Sequence, residues 1–239
     1  MGRAGRAGDR GDVPAEQAAI RADGGVPGPL GRDLRREAPP LAGAPVLIDL
    51  HCHTRPLSTC SALDADELVR IAAERGLDGV CLTEHDRHWA AGDVAALRAR
   101  ARIAVFSAVE LTTDLGHVLA FGLEPGDCSA FASEVFVAAE RRGGLLFLAH
   151  PARDGLLRVT RETVEYFASV EAANGSDTRL QNLAAAGLAK GFRLPGIGGS
   201  DAHTAEEVGR AATRFRSRVR TDAELLDALR TGAYAAEVL

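Results

Sequence analysis

From Val46 onward, short apolar runs alternate with amphipathic stretches of helical period. The runs "VLIDLHC", "GVCLTEH", "IAVFSAVEL", "HVLAFGL", "LLFLAHP", "SVEAANG" and "PGIGGSD" read as strands. The stretches "DADELVRIAAERG", "GDVAALRARA", "SAFASEVFVAAERRG", "TRETVEYF", "DTRLQNLAAAGLAKG" and "TDAELLDALRTG" read as helices. Near-continuous apolar strands with helices between them predict a parallel sheet covered on both sides, in one α/β domain over 45–239. Periodicity alone leaves a closed barrel and an open doubly wound sheet in competition. Residues 1–44 are rich in Gly, Ala, Arg and Pro without sustained periodicity, and are expected to be a disordered N-terminal extension.

The polar positions favour the barrel. His51 and His53, Glu84, His85 and Asp86, Glu110, His117, His150, Asn174, then Asp201 and His203 are assigned to the carboxyl ends of successive strands. A barrel gathers those ends on one face, whereas an open sheet concentrates its chemistry at a single switch point. In "DLHCHT", His51 and His53 lie at i and i+2 on an extended chain and so share a face, with Cys52 opposite. Alone, the pair is read equally well as one buried, hydrogen-bonded histidine and one exposed one. All but one of the seven histidines, His88 being the exception, adjoin a strand. With Glu110 and Asp201 they form a mixed nitrogen and oxygen donor set that suits zinc, manganese or iron. It is larger than one ion needs, which implies two or three ions sharing a carboxylate.

Composition narrows the partners. A hydrophobic fraction of 46% fits a globular core, and a net charge of -5 gives no broad basic surface for nucleic acid, although a local groove stays open. Cys52, Cys60, Cys81 and Cys128 have neither zinc-ribbon nor dense disulfide spacing. No apolar run reaches the roughly 18 residues of a membrane span, and no apolar region follows the early arginines as in a secretory signal. The expected setting is the cytoplasm, with no membrane partner. Nothing in the pattern speaks to oligomeric state.

The segments "DLHCHT", "LTEHD", "VEL", "LAHP" and "GGSDAH", in that order, resemble the motifs of the PHP (polymerase and histidinol phosphatase) superfamily over roughly 46–215. The resemblance implies a distorted seven-stranded TIM-like (β/α)7 barrel with two or three divalent ions, and hydrolysis of phosphate esters. By motif, His51, His53 and Asp201 would hold a first ion with a bridging Glu110. Glu110 and His150 would hold a second, with His117 as a further ligand or a substrate contact; His85 and His203 would hold a third. Glu110 as a buried salt-bridge partner and His117 as a structural residue are the plainer readings. Glu84 and Asp86 would orient His85.

The sequence departs from the family after the HxH motif, where an Asp or His is usual. Here "RPLSTCS" offers only Thr59 and Cys60, which puts the third ion in doubt. The mechanism so implied is attack by a hydroxide bridging two ions, with Arg153 meeting phosphoryl charge and Asp86 or His203 protonating the leaving group. Arg55 and Arg179 are weaker candidates for the role of Arg153. The 32 residues between His117 and His150 leave no space for an inserted lid domain. The leading substrate is a phosphate monoester of a small metabolite or nucleotide. The alternatives are a phosphodiesterase or exonuclease acting on nucleic-acid ends, a non-catalytic metal-binding module, and a hydrolase of carbon–nitrogen bonds.

Overall fold

The computed structural model describes residues 43–153, 160 and 162–239, so residues 1–42 of the expected extension lie outside the described residues. Ten strands and five α-helices follow in the order β1 (Val46–Cys52), α1 (Ala65–Glu74), β2 (Gly79–Leu82), α2 (Ala91–Arg100), β3 (Ala104–Ser107), β4 (Val109–Thr113), β5 (Gly116–Phe121), α3 (Ala132–Arg142), β6 (Leu145–Leu148), β7 (Ser169–Asn174), α4 (Arg179–Ala189), β8 (Ile197–Gly199), β9 (Ala211–Phe215), α5 (Asp222–Thr231) and β10 (Tyr234–Val238). The helices start where the chain can cap them. The Asp64 carboxylate accepts from the Asp66 and Glu67 amides at the head of α1, and Thr178 and Gln181 close a capping box at the head of α4. The stretch "TRETVEYF", read as a helix, contributes only a 3₁₀ turn at Val164–Tyr166.

A single seven-stranded barrel does not form. The strands make two mixed five-stranded sheets, ordered β10-β9-β1-β2-β3 and β4-β5-β6-β7-β8. The run "IAVFSAVEL" is not one strand: it breaks at Ala108, giving β3 to the first sheet and β4 to the second. Between β4 and β5 stand only Asp114 and Leu115, too few for the dozen or more residues of a parallel crossover. The two strands therefore form an antiparallel hairpin, with Gly116 at φ +112°. β5 also runs antiparallel to β6, and β9 runs antiparallel to both β1 and β10. The sheets meet through isolated bridges, Cys52 with Ala202 and His85 with Glu110, rather than through a continuous ladder.

Three apolar layers result. Ile48, Leu50 and Phe106 of the first sheet pack against Leu119, Phe147 and Ile197 of the second in a core between the sheets. α1 and α2 cover the outer side of the first sheet with Leu68, Ile71 and Leu97, and α3 covers the second with Val135, Ala138 and Ala139. Each fully buried aliphatic or Phe side chain contributes about 1.5–3 kcal/mol.

Two local features aim the ends of β1 and β8. Val46, Ile48 and Leu50 face the inter-sheet core, yet Cys52 belongs to the helix-side cluster. The register of β1 against β2 shifts between Asp49 and Cys52, and such a bulge re-aims the side chains beyond it. The Asp49 carboxylate secures this bend by accepting from the amides of His51 (3.2 Å), Ser200 (2.7 Å) and Gly209 (3.2 Å). On β8, a Cβ at Gly199 would stand 2.3–2.9 Å from the Cβ, N and Cα of His51, and one at Gly198 would meet the Ala212 carbonyl oxygen at 2.4 Å. The "GG" of "GIGGSD" thus permits the close approach of β8 to β1 and β9.

Gly199→Ala should destabilise the metal-free protein by at least about 2 kcal/mol in urea denaturation, because the clash is with backbone that cannot swing away. Gly126→Ala, whose Cβ would meet nothing within 4 Å, should stay within about 0.5 kcal/mol of the parent. Equal midpoints for the two variants would refute the close-approach argument.

Candidate metal centre

The ends of both sheets bring eight predicted ligands to one place. His51 lies near the end of β1 and His53 just beyond it; His85, His150, Asp201 and His203 follow β2, β6 and β8. Glu110 and His117 instead sit near the starts of β4 and β5. Antiparallel pairing turns β5 round, so its first residues meet the last residues of its neighbours. Ligand atoms within 4.8 Å of one another come from His51, His53 and Glu110; His51, His150 and Asp201; His85, Glu110 and His117; and His53, His85 and His203. These groups overlap, with His51, His53, His85 and Glu110 each in two of them, so the distances do not divide the ligands between particular ions.

Glu110 is the hub. Its Oε1 lies 2.9 Å from His150 Nε2 and 3.1 Å from His117 Nδ1. Its Oε2 stands 3.0, 3.2 and 3.4 Å from His85 Nδ1, His53 Nε2 and His51 Nε2, yet makes no hydrogen bond although buried. Burial alone would raise the Glu110 pKa, but His51, His117 and His150 outweigh it and hold the carboxyl well below its ordinary value. Burial likewise pulls His51 down, while Glu171, Asp201 and Glu110 lift it well above the usual imidazole range. Asp201 is held below the normal carboxylate range, with His51, His53 and Arg153 overcoming the effect of burial.

The imidazoles are oriented from outside the cluster. His51 Nδ1 is 2.9 Å from Glu171 Oε1, a pure acceptor, so Nδ1 carries the proton and the neutral ring keeps its lone pair on Nε2. Ser58 donates to Glu84 at 2.5 Å, leaving its oxygen to accept from His53 Nδ1 at 3.3 Å, and the lone pair of His53 is again on Nε2. These two Nε2 atoms lie only 2.9 Å apart. Two lone pairs at that distance repel unless a cation or a proton lies between them. His203 Nδ1 donates to the Asp201 carbonyl at 2.9 Å, leaving its Nε2 free. An orphaned buried carboxylate oxygen among inward-turned nitrogen lone pairs fits divalent cations.

The remaining proposed residues stand as follows. Asp86, at φ +55°, accepts from the Thr112 amide (2.7 Å) and hydroxyl (3.0 Å), capping β4. Glu84 is buried and binds Thr54 through both amide and hydroxyl, Ser58, and Trp89 Nε1 at 2.8 Å, so it anchors the loop after β1. Arg153 reaches Asp177, Asn174 and Asp201. Thr59 and Cys60 are exposed, and among the described residues no group of ligand atoms includes Cys60. Sequence reasoning passed over Glu171 and Ser58. An acidic residue inside the apolar strand "SVEAANG" was the available signal for Glu171, whose second oxygen accepts from the His150 amide at 2.9 Å. Ser58 carried none.

A family model described as PHP-associated matches residues 179–234. No curated protein matches the chain. The fold is similar to that of a two-domain protein from Bacteroides vulgatus containing a predicted PHP-like metal-dependent phosphoesterase, at 22% identity and a TM-score of 0.65, covering 84% of this chain and 67% of that one. It is also similar to PsfC from Pseudomonas syringae, at 19% identity and a TM-score of 0.64, over 82% and 92% of the two chains. A third structure, from Bifidobacterium adolescentis and named for a presumed metal-dependent phosphoesterase, matches at 17% identity and a TM-score of 0.58, over 81% and 98%. The PHP-associated match and the order of the five motifs make the chain similar to proteins of the PHP superfamily.

Glu171→Gln should weaken metal binding 10- to 100-fold, the usual cost of losing the partner that orients a ligand imidazole. Competition with a chromophoric chelator measures it, and a dissociation constant within threefold of the parent would show that Glu171 does not set His51.

Proposed function

We propose that the chain is a metal-dependent phosphoesterase acting on phosphate monoesters of a small metabolite or nucleotide. The observation that carries this reading is the buried Glu110 carboxylate, ringed by five imidazole nitrogens and leaving one oxygen without a hydrogen bond. The phosphoesterase names of two of the similar structures support it. His51, His53, Glu110, His150 and Asp201 would hold two divalent ions, with His85, His117 and His203 completing the shell or holding a third. Bound ions of this kind polarise a phosphoryl group and supply a nucleophile near neutral pH.

The chain's own groups order the approach. His51, His53 and Glu110 are closed off from solvent, while the side chains of His85, His117 and His203 are 30%, 35% and 28% exposed and form the rim. Substrate is expected to enter across that rim. His203, its Nδ1 committed to the Asp201 carbonyl, can take a cation or deliver a proton to the leaving oxygen only through Nε2. Asp86 has both oxygens on Thr112 and is assigned to holding β4 rather than to proton transfer. The stretch from His117 to His150 is filled by β5, α3 and β6 without an inserted domain, which favours an open site with broad access.

Purified protein reconstituted with manganese, zinc or iron(II) should retain at least one equivalent of metal and hydrolyse p-nitrophenyl phosphate faster than bis-p-nitrophenyl phosphate. Chelation should abolish turnover and metal should restore it. Glu110→Gln should lower metal content and rate together, the rate by about 100-fold or more. Metal retention without turnover of monoesters, diesters or short oligonucleotides would overturn the enzyme reading, and preference for the diester or oligonucleotide would move the substrate to a nucleic-acid end.

A further inference from the structure

We infer that Arg153 is a positioning residue that fixes Asp201 as a one-oxygen metal ligand, and not the clamp for the substrate's phosphoryl group; this rests on the metal-centre reading above. A guanidinium offers phosphate two parallel donors either from its Nε and Nη2 edge or from its two Nη groups, and both grips need Nη2. Here Nε and Nη2 are both turned inside the protein. Nε donates to Asp177 Oδ1 at 2.8 Å, and Nη2 contacts both Asn174 Oδ1 at 2.9 Å and Asp201 Oδ2 at 2.6 Å. Nη2 is thus committed to a hydrogen bond with Asn174 and an ion pair with Asp201.

The anchoring begins at the backbone. The Arg153 amide donates to the His150 carbonyl at 3.0 Å, and Gln181 Nε2 donates to the Arg153 carbonyl at 3.1 Å. Arg153 follows β6, Asn174 ends β7, Asp177 lies in the turn before α4, and Asp201 follows β8. One side chain thus pins three consecutive strand ends. The geometry at Asp201 shows the consequence: Oδ2 is tied to Arg153, while Oδ1 turns to His53 Nε2 at 3.2 Å and His51 Nε2 at 3.5 Å. A carboxylate held by one oxygen presents the other at a defined angle. Released, it could rotate or chelate with both oxygens, and it would sit beside the Glu110 charge without its guanidinium partner. Asp201 also sits at φ +54°, where a non-glycine backbone is strained and needs its surroundings to hold it.

The test measures metal affinity and substrate affinity separately on the full chain. Metal dissociation constants come from chelator competition, and KM and the inhibition constant for inorganic phosphate are measured at saturating metal, for Arg153→Ala, Arg153→Lys and Asp177→Asn. Positioning predicts that Arg153→Ala raises the metal dissociation constant 10- to 100-fold. Arg153→Lys, which can keep the Asp201 contact but not all three, should recover part of that loss. KM and the phosphate constant should stay within about threefold of the parent in both. Asp177→Asn, which removes only the charge of the outer anchor, should show a smaller loss in the same direction and serves as the readout if Arg153→Ala does not fold. Unchanged metal affinity in the folded variants, or a tenfold rise in KM at saturating metal, overturns the inference. Parent protein that binds no metal at all would instead sink the metal-centre reading on which it rests.

Discussion

The structure is organised around a charge that could not otherwise stay buried. A carboxylate taken out of water costs several kcal/mol unless opposite charge and hydrogen bonds replace its hydration. Glu110 is fully buried and surrounded by imidazoles drawn from β1, β5 and the turns after β2 and β6. No short segment supplies such a ring. Both sheets are needed, and the His85 to Glu110 bridge brings the first sheet's edge against the second sheet's first strand where that carboxylate lies. The break at Ala108, which ends β3 and starts β4, is therefore the step that delivers Glu110 to the junction.

Backbone distortion is concentrated in the same place. Among the described residues, the non-glycine positions with positive φ are Asp86, His150 and Asp201, at 55°, 28° and 54°. Each lies two to four residues beyond a strand and within the metal centre or one residue from it. Such positions cost of order 1–3 kcal/mol each and persist only where surrounding contacts over-determine them. Here the contacts can be named. Asp86 is held through Thr112, His150 through the bond from its amide to Glu171, and Asp201 through Arg153 and the His51 carbonyl. At His150 the strained turn lets the chain leave β6 while the imidazole reaches Glu110 at 2.9 Å.

Much of the donor set was legible because its residue types are rarely placed together without reason. The i, i+2 spacing of His51 and His53 and the recurrence of histidine beside apolar runs carry over from one dimension to three. The architecture was less so. Counting apolar runs cannot tell a parallel strand from a reversed one, and the two-residue link between "VELTT" and "GHVLAF" was the local clue that β5 turns back. Alternation along β1 was also only half informative. Strict period two carries His51 to the side of Leu47, on the helix-facing surface, and the shift between Asp49 and Cys52 carries it to the metal centre instead. A bulge depends on pairing with a neighbour and leaves no mark in the strand's own pattern. Ser58 was invisible for a related reason, since a serine oxygen is turned to accept from His53 only once its hydroxyl donates to Glu84.

The departure after the HxH motif makes chemical sense in that light. Where an acidic or imidazole ligand is usual, this chain has a loop whose Thr54 and Ser58 both donate to Glu84. Glu84 also accepts from Trp89, and its buried carboxylate is filled by donors from the protein. Anionic oxygen near His53, His85 and His203 comes instead from Glu110 and Asp201, at 3.0 Å from His85 Nδ1 and 3.2 Å from His53 Nε2. The same two carboxylates also face His51, His117 and His150, so one pair of anionic groups serves every imidazole of the centre.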